Sequence, residues 1–158
     1  MKTILSGITK EVIIDTNGPV VIIGECINPT RRSRLVSSLK AEDFGYMLEL
    51  AKSQIEAGAD ILDINVGFPG VADTELLPKA VIALQNSFDI PLCLDSPNPQ
   101  AIEAALKVAK GKCLINSVNA EEASLQKLLP VASEHGAAII GLVIDIDGIS
   151  HNPEQRLR

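Results

Sequence analysis

Five short apolar runs separated by amphipathic stretches limit what this chain can fold into. The runs are "VVIIGECI" (20–27), "DILDINVG" (60–67), "IPLCLDS" (90–96), "KCLINSV" (112–118) and "AAIIGLVID" (137–145). Between them, "AEDFGYMLELAKSQIEAGA" (41–59), "DTELLPKAVIALQNSF" (73–88), "NPQAIEAALKVAKG" (98–111) and "NAEEASLQKLLPVASEHGA" (119–137) read as helices. The order is βαβαβαβαβ, which implies parallel strands joined by right-handed crossovers. Hydrophobic residues make up 46% of the chain but aromatics only 3%, so the core is built from Ile, Leu, Val and Ala. That composition suits strands buried on both faces.

Local signals support the helices. Phe44, Met47, Leu48, Ala51 and Ile55 repeat near helical spacing, and Gly58 follows as a stop. Asp73 reads as an N-cap, with Pro78 near the first turns. Asn98 caps the next helix, Pro99 takes its first position and Gly111 closes it. Acidic residues open the fourth, and Pro153 begins a further one. Residues 1–19 read as an arm or a small hairpin over the bottom of the domain, with a turn at Asn17, Gly18 and Pro19.

Two architectures fit: a doubly wound sheet and part of a (β/α)8 TIM barrel. Neither a GxGxxG nor a GxxxxGK[ST] loop occurs, which favours an α/β partial barrel of about five parallel strands with intervening helices. The whole chain, residues 1–158, reads as one domain. A complete barrel takes about 250 residues, so the expected barrel is C-terminally incomplete.

The formal net charge of −6 argues against a nucleic-acid partner. Three cysteines, Cys26, Cys93 and Cys113, form no CxxC pair and imply neither a zinc site nor a disulfide framework. His135 and His151 have no metal-like companion, so no metal is expected. No signal peptide is legible, and no apolar run nears the roughly 20 residues of a membrane span. A cytoplasmic protein without a membrane partner is expected.

Polar residues recur where the apolar runs end: Glu25 and Asn28, Asp63 and Asn65, Asp95 and Ser96, Asn116 and Ser117, Asp145. In both architectures these are the ligand-binding ends of the strands. Alternation puts Asp63 and Asn65 on one face with Ile61, Asp95 with Cys93, and Asn116 with Leu114. If helices cover the other face, Asp63, Asn65, Asp95 and Asn116 point inward at the mouth. A carboxylate accepts two parallel hydrogen bonds from a planar donor fork, such as the ring N–H and exocyclic amine of an aminopyrimidinone. An amide reads a neighbouring ring nitrogen or carbonyl. A flat neutral heterocycle therefore fits better than a phosphate. The competing reading is that these groups merely cap strand and helix ends.

"GECINPT", "AGADILDINVG", "PLCLDSPNPQAIEAAL", "LINSVNAE" and "HGAAIIGLVIDIDGIS" resemble, in order and spacing, the pterin-binding barrel family over about residues 20–150. The branch most resembled is the methyltetrahydrofolate:corrinoid methyltransferases, including the folate domain of cobalamin-dependent methionine synthase; dihydropteroate synthase is more distant. The resemblance implies a barrel that binds a folate at its mouth, with Asp95 and Asn116 on the pterin ring. It also implies that Asn28, Asp63, Asn65 and Ser96 line the same pocket. The implied reaction moves a methyl group from methyltetrahydrofolate to a corrinoid protein, cobalamin entering only through that partner.

Two departures stand out. Cys26 occupies a position where the family motif has Arg. The family pattern continues into strands six to eight, with a further Asp on the pterin and an Asn near N5, so catalytic residues are expected beyond Arg158. Five strands cannot close an eight-strand barrel. Either the chain is a piece of a fuller enzyme, or it pairs its bare edges with a second copy, or it has relaxed into an open sheet that binds something else. Self-association as a homo-oligomer is expected. Glu25 is expected on the face opposite Asn28. "RRSR" (31–34) is expected in the first loop near the mouth, as a solvated segment or a contact for a folate tail or an acidic partner. Cys93 is expected to pack in the core. A dihydropteroate synthase-type enzyme and a non-catalytic binding or assembly module are the alternative functions.

Overall fold

The computed structural model describes residues 2–144, 148–149 and 151–156. Residues 2–15 form an antiparallel hairpin, β1 (Lys2–Ser6) with β2 (Glu11–Asp15), in which Ile4 faces Ile13. The apolar runs then give β3 (Ile23–Ile27), β4 (Ile61–Ile64), β5 (Leu92–Asp95), β6 (Leu114–Val118) and β7 (Ala138–Gly141). These pair in parallel, in the order β3-β4-β5-β6-β7. Each strand lies beside its sequence neighbour and the order never reverses. Crossovers of one hand that all step the same way put the connecting helices on one face. This is barrel winding rather than the reversing order of a doubly wound sheet. The fold is α/β, a five-strand partial (β/α) barrel.

The helices are α1 (Ser33–Lys40), α2 (Gly45–Glu56), α3 (Asp73–Ser87), α4 (Pro99–Val108), α5 (Glu122–Glu134) and a short α6 (Pro153–Arg156). Leu62, Ile64, Leu92, Leu94 and Ile115 face outward into the main core, against Met47, Leu77, Val81, Leu84, Ile102 and Leu128. The opposite, inner face carries Ile61, Cys93 and Leu114 at its lower end, where Leu5 and Val12 of the hairpin cover them.

Several expected boundaries move. The helix expected over 41–59 is α2 alone, and α1 precedes it with Leu35 and Leu39 buried one turn apart. The two separate where Glu42 takes φ +52° and the Asp43 carboxylate accepts from Gly45 N at 2.9 Å. "RRSR" is therefore divided: Arg31 and Arg32 are in the loop, while Ser33 and Arg34 open α1. The strand expected from Val20 is β3 and begins at Ile23; Val20 is 87% exposed. Asp73 is not an N-cap: Ala72 holds that position and Asp73 is the first helical residue. Asn98 does cap α4 through Gln100 N, with Pro99 first in the helix. That helix ends at Val108, three residues before Gly111. The last strand ends at Gly141, and Asp145 lies outside the described residues.

The hairpin turn is at Gly7–Lys10, where Gly7 N donates to Lys10 O at 2.8 Å; the turn at Asn17 and Gly18 instead follows β2. Asp89, just before β5, clamps that hairpin turn. Its carboxylate accepts from the backbone N–H of Ile8 (2.6 Å), Thr9 (3.0 Å) and Lys10 (3.2 Å), and from the Thr9 hydroxyl. Lys112 N also donates to Ser6 Oγ at 2.9 Å. Gly111 has φ +82°, and a side chain there would overlap the Ser6 and Gly7 carbonyl oxygens.

The Thr9 hydroxyl, with the backbone donors behind it, holds the Asp89 carboxyl down at about 2. A depressed carboxylate favours folding above the ordinary carboxylate range, and that contribution is lost as pH falls toward its folded value. Hairpin amides are therefore expected to exchange faster in Asp89→Asn than in the wild type at pH 7, the two converging near pH 2. Equal exchange at pH 7, read by hydrogen–deuterium mass spectrometry, would show that the clamp does not hold the hairpin.

Candidate functional site

Asp95 and Asn116 are direct partners in the β5–β6 register, on the inner face at the C-terminal ends of their strands. Strands stand about 4.8 Å apart, so the two side chains are immediate neighbours. Both are half-buried. Their supports come from β4 and the residue just past its end. Asn65 Nδ2 donates to Asp95 Oδ2 at 2.8 Å, while Asn65 Oδ1 accepts from Gly67 N at 2.7 Å. Asn116 Nδ2 donates to Asp63 Oδ1 at 3.2 Å. Among the described residues, neither Asp95 Oδ1 nor Asn116 Oδ1 has a hydrogen-bond partner. The mouth thus presents two acceptor oxygens on adjacent strands.

Asp63 is only 2% exposed, and its Oδ2 is buried without a hydrogen-bond partner. Burial raises its pKa, opposed by the nearby Cys93 thiol and by the hydrogen bond from Asn116; Asp95 and Glu25 add smaller upward pushes. The Cys93 thiol is buried against Asp63 and held protonated, chiefly by desolvation. It is a packing group, as its surroundings in the sequence imply.

The other expected residues have different positions. Ser96 faces away from the mouth: its hydroxyl donates to Asp73 Oδ2 (3.1 Å) and accepts from Asn98 N (3.1 Å). Asn98 Nδ2 donates to Asp73 Oδ1 at 2.8 Å, so this trio ties the β5–α4 turn to the start of α3. Asn28 is committed locally, donating to Glu25 Oε1 (2.7 Å) and accepting from Thr30 N (3.0 Å). Glu25 and Asn28 therefore meet instead of lying on opposite faces. The cause is a register shift in β3 between Gly24 and Ile27, which breaks the alternation. Gly24, a glycine inside a strand, is the sequence signal for such a shift. Its bare Cα also admits Gln54, whose Oε1 accepts from Cys26 N at 2.7 Å. Arg34 pairs with Glu49 at 3.3 Å and stacks over Tyr46 at 3.8 Å, so it is engaged on the helical surface. Arg31 and Arg32 are exposed.

A parallel half-barrel with acid and amide side chains at its C-terminal mouth defines a class of small-molecule site. The chain belongs to the pterin-binding enzyme family: that family, described as "Pterin binding enzyme", matches residues 24–156. The chain is 34% identical over 146 residues to methionine synthase of Mycobacterium tuberculosis, which covers 87% of this chain and 12% of that protein. It is 27% identical over 140 residues to methylcorrinoid:tetrahydrofolate methyltransferase of Eubacterium limosum, covering 87% of this chain and 51% of that one. The chain therefore spans about half, or far less, of the length of these relatives. A crystal structure of 7,8-dihydropteroate synthase from Vibrio fischeri ES114 superposes with a TM-score of 0.58 at 24% identity, over 88% of this chain and 48% of that one. That likeness is one of fold. Among the described residues, no helix is long and apolar enough to cross a membrane.

The Asp63 carboxyl binds its proton more tightly in the folded protein than in the unfolded chain. Its contribution to folding is thus full below the unfolded carboxylate value and is lost as pH rises through the folded one. At pH 7 Asp63→Asn removes a buried charge and is expected to unfold at equal or higher urea than the wild type. The advantage should shrink as pH is lowered toward the ordinary carboxylate range. A variant markedly less stable at pH 7 would show that the charge is well satisfied.

Proposed function

We propose that the inner mouth binds the pterin ring of a folate and that the protein serves methyl transfer from methyltetrahydrofolate to a corrinoid protein. The observation that carries this is the pair of acceptors, Asp95 and Asn116, side by side on β5 and β6. A pterin edge carries ring and exocyclic N–H donors in one plane, the complement of that pair. In this reading Asn65 and Asp63 hold Asp95 and Asn116 in position. Asn28 and Glu25 form the rim above β3. Ser96 acts through the turn that follows Asp95.

The relatives' names favour methyl transfer over the alternative. Methionine synthase and a methylcorrinoid:tetrahydrofolate methyltransferase are matched in sequence, whereas dihydropteroate synthase is matched here in fold. In the proposed reaction the methyl group leaves N5 for a Co(I) corrinoid on a partner protein. A tertiary amine leaves poorly, so charge developing on N5 must be met by a proton or a hydrogen-bond donor. Asp95 and Asn116 contribute orientation, holding the ring so that the methyl group is presented to the acceptor. No proton donor is assigned among the residues described.

The open side of the half-barrel suggests assembly. β3 and β7 each lack a strand partner on one side among the described residues. A hollow lined by Ile4, Ile14, Ile23, Leu114 and Ile140, with Lys2 and Lys112 at its border, lies between them. We propose that a second copy covers this side, since bare strand edges beside apolar surface favour pairing. Sedimentation should show a dimer or larger; a strictly monomeric, folded species would overturn the assembly proposal.

Calorimetry with methyltetrahydrofolate tests the site. Asp95→Ala is expected to weaken binding by about 1.5–3 kcal/mol, as for loss of hydrogen bonds to a charged group. Unchanged affinity in that variant would remove Asp95 from the site. Methyl transfer to a corrinoid acceptor, measured against condensation of aminobenzoate with a pterin pyrophosphate, separates the two enzyme readings. Absence of methyltetrahydrofolate binding would favour a non-catalytic assembly module over both enzyme readings.

A further inference from the structure

We infer that Asp73, the first residue of α3, is a positioning residue for Asp95: it holds the turn that follows β5 and so fixes the backbone from which the Asp95 carboxylate projects. The inference rests on the pterin reading of the site and deepens it. An acidic side chain at the start of a helix is well placed to accept from that helix's own free N–H groups. In Asp73 both oxygens are engaged elsewhere. Oδ2 accepts from the Ser96 hydroxyl at 3.1 Å and Oδ1 from Asn98 Nδ2 at 2.8 Å. The helix itself goes without a side-chain cap, since Ala72 stands at its N-cap.

The turn held in this way is stiff. In "SPNP" (96–99) each proline fixes its own φ and restricts the residue before it, here Ser96 and Asn98. Asn98 has φ −98° and ψ 107°, the extended conformation that this restriction favours. Ser96 Oγ also accepts from Asn98 N at 3.1 Å, which ties the turn to itself. A turn that is rigid internally can still rock as a unit on the end of a four-residue strand. Among the described residues, Asp73 alone gives it side-chain hydrogen bonds from another element. Ser96 is 6% exposed, so little water can replace a lost bond there. Asp95 immediately precedes this turn and has one described side-chain hydrogen bond, from Asn65. One bond leaves a carboxylate free to pivot about it, so its aim into the mouth is set by the backbone behind it.

A second link supplies the control. Gln85 Nε2 donates to Lys110 O at 2.7 Å and its Oε1 accepts from Lys110 N at 2.9 Å, which joins the far end of α3 to the segment after α4. It ties the same helical layer with no connection to Asp95. The full chain would be titrated with methyltetrahydrofolate by calorimetry, with urea unfolding of each variant alongside. Asp73→Ala should weaken binding about fivefold to tenfold. Asp73→Asn keeps an oxygen for Asn98 Nδ2 and an amide for Ser96 Oγ, and should stay within about twofold of the wild type. Gln85→Ala should lose stability yet bind as the wild type does. If Asp73→Ala does not fold, Ser96→Ala takes its place, with binding expected to weaken severalfold. Wild-type affinity in the folded member of that pair would overturn the inference. So would equal weakening by Gln85→Ala, which would reduce the effect of Asp73 to general loosening of the helices. Unchanged affinity in Asp95→Ala, or no binding by the wild type, would overturn the pterin reading and this inference with it. Loss in Asp95→Ala with none in Asp73→Ala overturns this inference alone.

Discussion

Side-chain alternation along parallel strands is the constraint from which the rest follows. Leu92 and Leu94 go to the helices, while Cys93 and Asp95 go inward; in β6, Ile115 goes outward and Leu114 and Asn116 inward. Because the order of strands never reverses, the helices that connect the strands share one face, and the inner face is left for other purposes. Its lower part is apolar and closed by Leu5 and Val12 of the hairpin. Its upper part holds Asp63, Asn65, Asp95 and Asn116 in two hydrogen-bonded pairs.

Much of this was legible in the residues. The apolar runs, the Asn98–Pro99 helix start and the shared face of the strand-end polar groups follow from spacing and local chemistry. What escaped has physical reasons. The α1 helix is short, and Leu35 and Leu39 were the sole apolar pair marking its buried side. Glu25 was misplaced because alternation fails across a shifted register, and Gly24 was the available clue. Ser96 was grouped with Asp95 as its neighbour in sequence, yet successive strand residues face opposite ways, and its partner proved to be Asp73. Which of four inward polar residues presents open atoms, and which props up another, depends on amide orientation that no spacing rule contains.

Asp63 illustrates a cost carried at a site. A carboxyl with one oxygen buried and unpaired opposes folding while ionised. Apolar side chains below it and the Cys93 thiol beside it make the surroundings drier still. In a core built purely for stability an aliphatic residue would occupy this place. Local conflicts of this kind gather where a protein binds or reacts.

β5 is moored at both ends by side chains. Below it, Asp89 grips the hairpin turn through four donors; above it, Ser96 and Asn98 grip Asp73 at the start of α3. A four-residue strand fastened top and bottom has no freedom to slide along the barrel axis. The height of Asp95 above the floor of the half-barrel is therefore set by anchors that lie outside the mouth altogether.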